Sequence, residues 1–503
     1  MATLIACLDE RCAASPARRL FTWLDDRGEQ QDSLSYGDVD ARTRTLAARL
    51  VEGTCTGGCA LARGDRTLLV FEPCLSFIIA FLACLRAGVI AVPVFPPGWC
   101  ALVVRPRSLV AGICVTLPSL SLADPRRLKK DLFMFASIQK SCSATLALTT
   151  SSYNYAKKMA DIQSIFSSDA MSWPQMRWEV VEALLASAPR AVAALSSIDD
   201  AASVAFLQFT SGSTSAPKGV IISHANLAHN LSLIVRELRA STDTVVVSWL
   251  PQYHDMGLIG SYLGALYCGG CGYYMSPFAF IKNPVVWVES ISRYRGTHMQ
   301  APNFAYSLCA RKFSTMRVPP SLNLSCVRHM INAAEPCDER SIDAFIETFA
   351  PHGLPTDVIF PTYGLAEHTV FVCSGGTQRL LVDKVVLESE QRALIAQPGT
   401  PDTTVAIGCG YPFRGQGVDV AIVDSDGVRL REGRVGEIWV RSPSKAGGYW
   451  DLPESTLEDF GATLREVDGA SAAPPADGGG AGLACPASRV FSQSEARIVV
   501  SPS

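Results

Sequence analysis

The 503-residue sequence has no basic excess. Its formal net charge is -3 and its charged residues, 18% of the total, mix both signs, so no face for nucleic acid is expected. A secretory leader is missing too, because Asp9, Glu10 and Arg11 stand where its apolar stretch would have to be; the cytoplasm is the expected location. No apolar run is long enough to span a membrane: in the best candidate, residues 68–94, Glu72, Pro73, Arg86 and Pro93 intervene before the roughly 20 apolar residues of a span accumulate. The 17 cysteines lack the paired spacing of a disulfide framework or zinc site. The CxxC at Cys268 and Cys271 lies in an apolar, Gly-rich run without a second ligand pair, so the cysteines are read as small buried residues in a reducing compartment.

What is present points to two or more packed units, since the length far exceeds one ordinary domain. In place of a span, residues 67–95 read as a strand TLLVF, a helix FIIAFLACLRAG ended by Gly88, and a strand VIAVPVF. From residue 203 to 365, β-rich runs (SVAFLQF, TVVVSWL, GYYM, VRHMIN, DVIFPTY) alternate with helical ones, the pattern of a parallel sheet covered on both faces. Ser223 can cap a helix whose Leu227, Leu231, Ile234, Val235 and Leu238 share one stripe, and Asn283-Pro284 suits another helix start. After Ala406 short strands predominate, with Asp426-Gly427 as a hairpin signal, which suggests a small β-barrel or β-rich subdomain. Residues 98–122 show no period, and the tail 462–503 is rich in Ala, Gly, Pro and Ser; both are expected to be disordered or poorly packed.

One loop carries chemistry. Thr210-Ser211-Gly212-Ser213-Thr214-Ser215-Ala216-Pro217-Lys218-Gly219 follows a strand and precedes a capped helix, where backbone N–H groups can meet phosphate. Glycines allow close approach, hydroxyls donate, and Lys218 adds a point charge; a plain Ser/Gly turn would explain the first two features but not the Pro-Lys-Gly. The loop is not GxxxxGK[ST], which disfavours an ordinary P-loop NTPase.

This loop resembles the phosphate signature of the adenylate-forming superfamily, which comprises acyl-CoA synthetases, nonribosomal-peptide adenylation domains and luciferases. Further motifs follow in that family's order. WLPQYHDMGLI at 249–259 is similar to the wording of fatty acyl-AMP ligases, NAAEP at 332–336 to the adenine-contacting turn, and PTYGLAE at 361–367 to the motif with an adenine-packing aromatic and a magnesium-binding Glu. GEIWV at 436–440 and GYW at 448–450 look like the end of the large domain. The resemblance therefore implies an α/β fold over residues 1–461, the large N-terminal domain of an adenylate-forming enzyme, with two doubly wound α/β subdomains plus a small β-barrel subdomain. It implies ATP-dependent activation of a fatty acid to acyl-adenylate, with Mg2+, for transfer to an acyl carrier protein. A long-chain acyl-CoA ligase and a catalytically impaired nucleotide- or acyl-binding remnant are the alternatives.

By the same resemblance Lys218, His254 and Glu367 are catalytic, with Glu367 also the metal ligand. Thr210, Ser211, Gly212, Ser213, Thr214, Lys218 and Gly219 hold phosphate, and Ala333, Ala334, Glu335, Tyr363 and Gly364 hold the nucleoside. Plainer readings stand beside these: Glu367 as the cap of a following helix, His254 as a core histidine bound to backbone, and Tyr363 as filler at the sheet's end. The runs 256–259 and 278–281 line an acyl tunnel or simply pack in the core, and His368 has no assigned role. The polar stretch 375–409 matches the fatty acyl-AMP ligase insertion or is a variable surface loop. The family's Thr-Gly-Asp motif and the mobile C-terminal domain with its catalytic Lys are not found, and no Lys follows Lys445, so full activity of this chain alone is not expected.

Overall fold

The strand, helix, strand alternation of residues 66–94 is realised as Arg66–Val70, Leu75–Ala87 and Ile90–Val94 in a computed structural model. The structure describes residues 1–52, 60–98, 125–165, 173–186, 200–210, 217–465 and 492–497. Leu75–Ala87 is buried at every position but Ser76, as a helix apolar all round must be, and Gly88 ends it at φ +67, its N–H bonded to the carbonyls of Cys84 and Leu85.

The chain divides into two units. The first comprises residues 1–228 and 248–282. Its main sheet has six strands in the order Arg177–Val180, Leu146–Thr149, Arg66–Val70, Ile90–Val94, Val204–Thr210 and Lys218–Ser223. All pair in parallel except the last, which runs antiparallel to Val204–Thr210. Pro93 is tolerated in an interior strand because the pairing toward Val204–Thr210 is confined to Ala91 and Phe206, so no ladder bond is asked of the missing N–H. A second group of strands joins Arg19–Leu24 to Gln30–Ser35 and Cys271–Tyr274. There Phe21 packs edge-on against Tyr262 and Tyr274, whose own rings stack at 3.7 Å.

The second unit comprises residues 229–247 and 283–503. Its parallel strands are Ile359–Pro361, His329–Ala333, His298–Pro302 and Val245–Ser248, in that spatial order. His298–Pro302 was not read from sequence; HMQAP is neither alternating nor uniformly apolar, and only its place between two neighbours makes it a strand. After residue 372 the sheet elements are small and antiparallel: Cys373–Ser374 with Tyr411–Pro412, Arg379–Asp383 with Thr403–Ile407, and Asp419–Val423 with Glu437–Arg441. Within the stretch 375–409, Asp383 caps the helix Lys384–Glu390 by accepting from the Val386 N–H. Gly427 at φ +76 makes the expected hairpin turn.

The expected irregular segment 98–122 lies outside the described residues apart from Gly98. Of the tail, residues 466–491 and 498–503 also lie outside them, but Ser492–Arg497 forms a strand against Glu437–Arg441. This departs from the disorder expected there: an open sheet edge supplies ladder hydrogen bonds to whatever backbone reaches it. Among the described residues no helix is long and apolar enough to cross a membrane.

Candidate active site

In the first unit the loop motif starts and ends on one rung. Thr210 closes Val204–Thr210 and is the register partner of Lys218, while Ser211, Gly212, Ser213 and Thr214 lie outside the described residues. A side chain at Gly219 would come within 2.8 Å of the Phe209 ring, so packing alone calls for glycine there. Two residues before the loop, buried Gln208 donates from Nε2 to the Tyr253 carbonyl at 3.1 Å, and its Oε1 has no hydrogen-bond partner among the described residues. Gln208 thus ties the loop's strand to the turn bearing His254. Sequence reasoning missed it, although a lone amide inside the apolar run SVAFLQF was a visible sign.

That turn is anchored from both sides. Gln252 accepts from the Cys74 N–H at 3.2 Å and donates to the Glu72 carbonyl at 3.3 Å, and the Glu72 carboxylate accepts from the Thr150 hydroxyl at 2.6 Å. A Cβ at Gly257 would collide with the Pro251 carbonyl, so backbone packs directly on backbone here. The His254 ring is 53% exposed, with Nδ1 at 2.7 Å from Asp255 Oδ1, and the neighbouring carboxylate raises its proton affinity against the opposing effect of burial. Asp255 also accepts the Met256 N–H at 2.7 Å, opening a π-helix over Met256–Leu263. The exposure of the ring sets it apart from the core histidine of the plainer reading, although its Nδ1 also lies 3.4 Å from the Met256 N–H; no described residue bonds Nε2. In the apolar runs Leu258, Ile259 and Phe280 are buried, Phe280 stacking on Trp249 at 3.8 Å, while Ile281 is exposed.

In the second unit the remaining motifs lie at the carboxyl ends of adjacent parallel strands, His329–Ala333 and Ile359–Pro361, the edge of a sheet where ligands bind. The Thr362 N–H donates to the Asn332 carbonyl at 2.9 Å, joining the two. Ala333 is buried, Ala334 takes φ +71, a strained value for a residue with a Cβ, and exposed Glu335 accepts the Phe304 N–H at 2.6 Å. Tyr363 is half-buried and bridges to Cys373, so it faces neither bulk water nor the core completely. A Cβ at Gly364 would strike the Val370 carbonyl, which explains glycine there.

Glu367 sits on a 3-10 turn, Ala366–His368, followed by Thr369 at φ +68. No α-helix begins there, so the reading of Glu367 as a helix cap fails. Its carboxylate accepts from the Tyr449 hydroxyl at 2.8 Å. Among the described residues no cluster of three or more metal-ligating side chains exists. A single half-buried carboxylate does suit magnesium, which keeps waters and phosphate oxygens and takes one or two carboxylates from a protein. Buried His368 has its pKa pushed down to about 3 by desolvation. Its Nδ1 must carry the hydrogen, because it faces the Phe371 carbonyl at 3.1 Å, and its Nε2 then accepts from the Ser442 hydroxyl.

The profile of the AMP-binding enzymes, described as "AMP-binding enzyme", matches residues 8–450. The chain is 34% identical over 472 residues to a medium-chain-fatty-acid–[acyl-carrier-protein] ligase, JamA of Moorena producens, covering 92% of this chain and 72% of that protein. It is 30% identical to TtuA of Teredinibacter turnerae, likewise a medium-chain-fatty-acid–[acyl-carrier-protein] ligase, over 91% of this chain and 70% of that one. Among solved structures it is similar, at TM-score 0.73 and 30% identity, to a fatty acyl-adenylate ligase from L. pneumophila in complex with acyl adenylate and pyrophosphate, covering 91% of this chain and 72% of that one.

Proposed function

Because the chain belongs to the AMP-binding enzyme family, we propose that it activates a fatty acid with ATP, giving acyl-adenylate and pyrophosphate, for transfer to an acyl carrier protein. The observation that carries this reading is Lys218 on the rung opposite Thr210, at the carboxyl end of Val204–Thr210. The backbone of a cationic residue is thereby fixed beside the loop to which the motif assigns the triphosphate.

The reaction joins two anions, a carboxylate and the α-phosphate, so the protein must supply positive charge before attack and more as pyrophosphate departs. Lys218 supplies part of it, with Thr210, Ser211, Gly212, Ser213, Thr214 and Gly219 assigned to the phosphates beside it. His254, made more basic by Asp255, orients the incoming carboxylate; it is not the nucleophile, since the carboxylate attacks phosphorus itself. Tyr363 and Gly364 bound the adenine on one side, and Ala333, Ala334 and Glu335 meet its edge. Magnesium, with Glu367 as its protein ligand, would supply charge neutralisation of the leaving pyrophosphate.

Fatty-acid-dependent exchange of labelled pyrophosphate into ATP tests the reading on the 503-residue chain. Exchange that rises with added medium-chain fatty acid is expected. ATP binding without any exchange would instead mark the chain as a nucleotide-binding remnant. Offering the acyl-adenylate a carrier protein or CoA as acceptor separates the two ligase classes.

A further inference from the structure

The loop 442–449 touches the Glu367 turn at several points. The Ala446 N–H donates to the Glu367 carbonyl at 2.9 Å, and the Thr369 hydroxyl donates to the Ser444 carbonyl at 2.8 Å. Ser442 bonds the His368 ring, and the Tyr449 hydroxyl reaches the Glu367 carboxylate itself. Such bonds account for how Thr369 persists at φ +68 and ψ -65, a conformation that survives only where its surroundings over-determine it.

From this geometry we infer that Tyr449 is a positioning residue for the proposed reaction: its hydroxyl fixes the Glu367 carboxylate in the orientation that receives a magnesium–nucleotide complex. The inference rests on the assignment of Glu367 to magnesium.

Tyr449 is itself immobile. It is buried, its ring lies edge-on to Phe460 at 5.2 Å, and its N–H donates to the Thr456 hydroxyl at 2.9 Å. Gly448, at φ +122, lets the chain lie against Thr456, whose Oγ1 would stand 2.9 Å from an added Cβ. The Asp459 carboxylate is a second acceptor on the same phenol, whose single hydrogen is given to Glu367 at 2.8 Å. The choice of a phenol is chemically apt. A Lys or Arg in its place would hold the carboxylate but cancel the charge that a metal ion needs, whereas a neutral donor orients the carboxylate and leaves that charge in place. A tyrosine serving only to fill space would not require its hydroxyl to meet this carboxylate.

The test is calorimetric titration of the full chain with ATP, once with Mg2+ and once with EDTA, and with AMP as a metal-independent control. Tyr449→Phe is expected to lose about tenfold of the magnesium-dependent gain in ATP affinity, at the low end of the effect of an outer-sphere partner. Binding of AMP, binding of ATP in EDTA, and Tm should stay as in the parent. Glu367→Asp, which keeps the charge but withdraws it from an intact Tyr449, should lose the same gain. An undiminished gain in either variant would overturn the inference, as would an equal loss with AMP, which is the mark of a merely structural residue. If the parent chain showed no magnesium-dependent gain, or if Glu367→Gln kept it, the metal assignment would fail first and the inference with it.

Discussion

The turn that carries His254 is open to solvent, whereas the turn that carries Glu367 is bound by a neighbouring loop and packed over the buried His368 and Asn230. His254 gains its basicity from the adjacent Asp255 and keeps an imidazole nitrogen unbonded by any described residue. Glu367 is held through its carboxylate and its carbonyl at once, and Asn230 bonds both the His368 and Phe371 carbonyls beneath it. The difference matches the two tasks proposed for them. A group that receives a substrate carboxylate needs charge and access, while a group that serves a metal needs a fixed vector. Lys218 resembles neither, being fixed through its backbone rung with the charge at the end of a flexible stem. The largest effect should therefore come from deleting that charge: Lys218→Met is expected to lower pyrophosphate exchange by about 10²–10³-fold, the range for removing one donor aimed at developing charge. A loss below about tenfold would place the triphosphate elsewhere.

Acid sharpens the contrast between the units. His329 and His368, both in the second unit, have pKa values pushed down to about 3, and His224, in the first, to about 4, in each case chiefly by burial. All three have an ordinary value of 6.5, so the folded state holds them neutral. The stability they contribute is present above that value and is lost as pH falls toward the folded one. Linkage makes the loss about 2 kcal/mol per histidine by about pH 5. Denaturant unfolding between neutral pH and about pH 5 should show this fall, steeper for the second unit because it holds two such groups. His329→Gln should flatten the dependence, and an unchanged slope would show that the ring is not carried buried and neutral.

What was legible in the sequence was what depends on neighbours in the chain. The apolar runs 67–71 and 89–95 announced strands, Gly88 announced a helix end, and the resemblance of PTYGLAE drew attention to Glu367. Two features were illegible for a common reason. His298–Pro302 becomes a strand only between two others, and Tyr449, though part of the GYW motif, meets Glu367 across 82 positions. Spacing along a chain records period and local turn chemistry, but a hydrogen bond closed by the fold leaves no period behind. Where a local rule was broken, as by the amide in SVAFLQF, a signal existed. Nothing comparable marked Tyr449, an aromatic among aromatics.

The smallest effect tests the open turn. Asp255 raises the His254 pKa, so the protonated ring proposed to attract the carboxylate persists to higher pH than an isolated imidazole would allow. Fatty-acid affinity should then be full at mildly acid pH, where the fatty acid is still a carboxylate, and fall as pH rises through that elevated value. Asp255→Asn keeps an acceptor for the Met256 N–H, and so retains the cap on Met256–Leu263, while removing the charge. The midpoint of the pH dependence should move to lower pH, with affinity at mildly acid pH nearly unchanged and a drop of a few-fold near neutrality. Glu367→Gln should leave that midpoint where it is, because the proposal assigns its carboxylate to magnesium and not to the fatty acid. A midpoint that ignored Asp255→Asn would mean that the ring does not meet the carboxylate as a cation, and the distinction between an accessible charge and a fixed one would lose its first half.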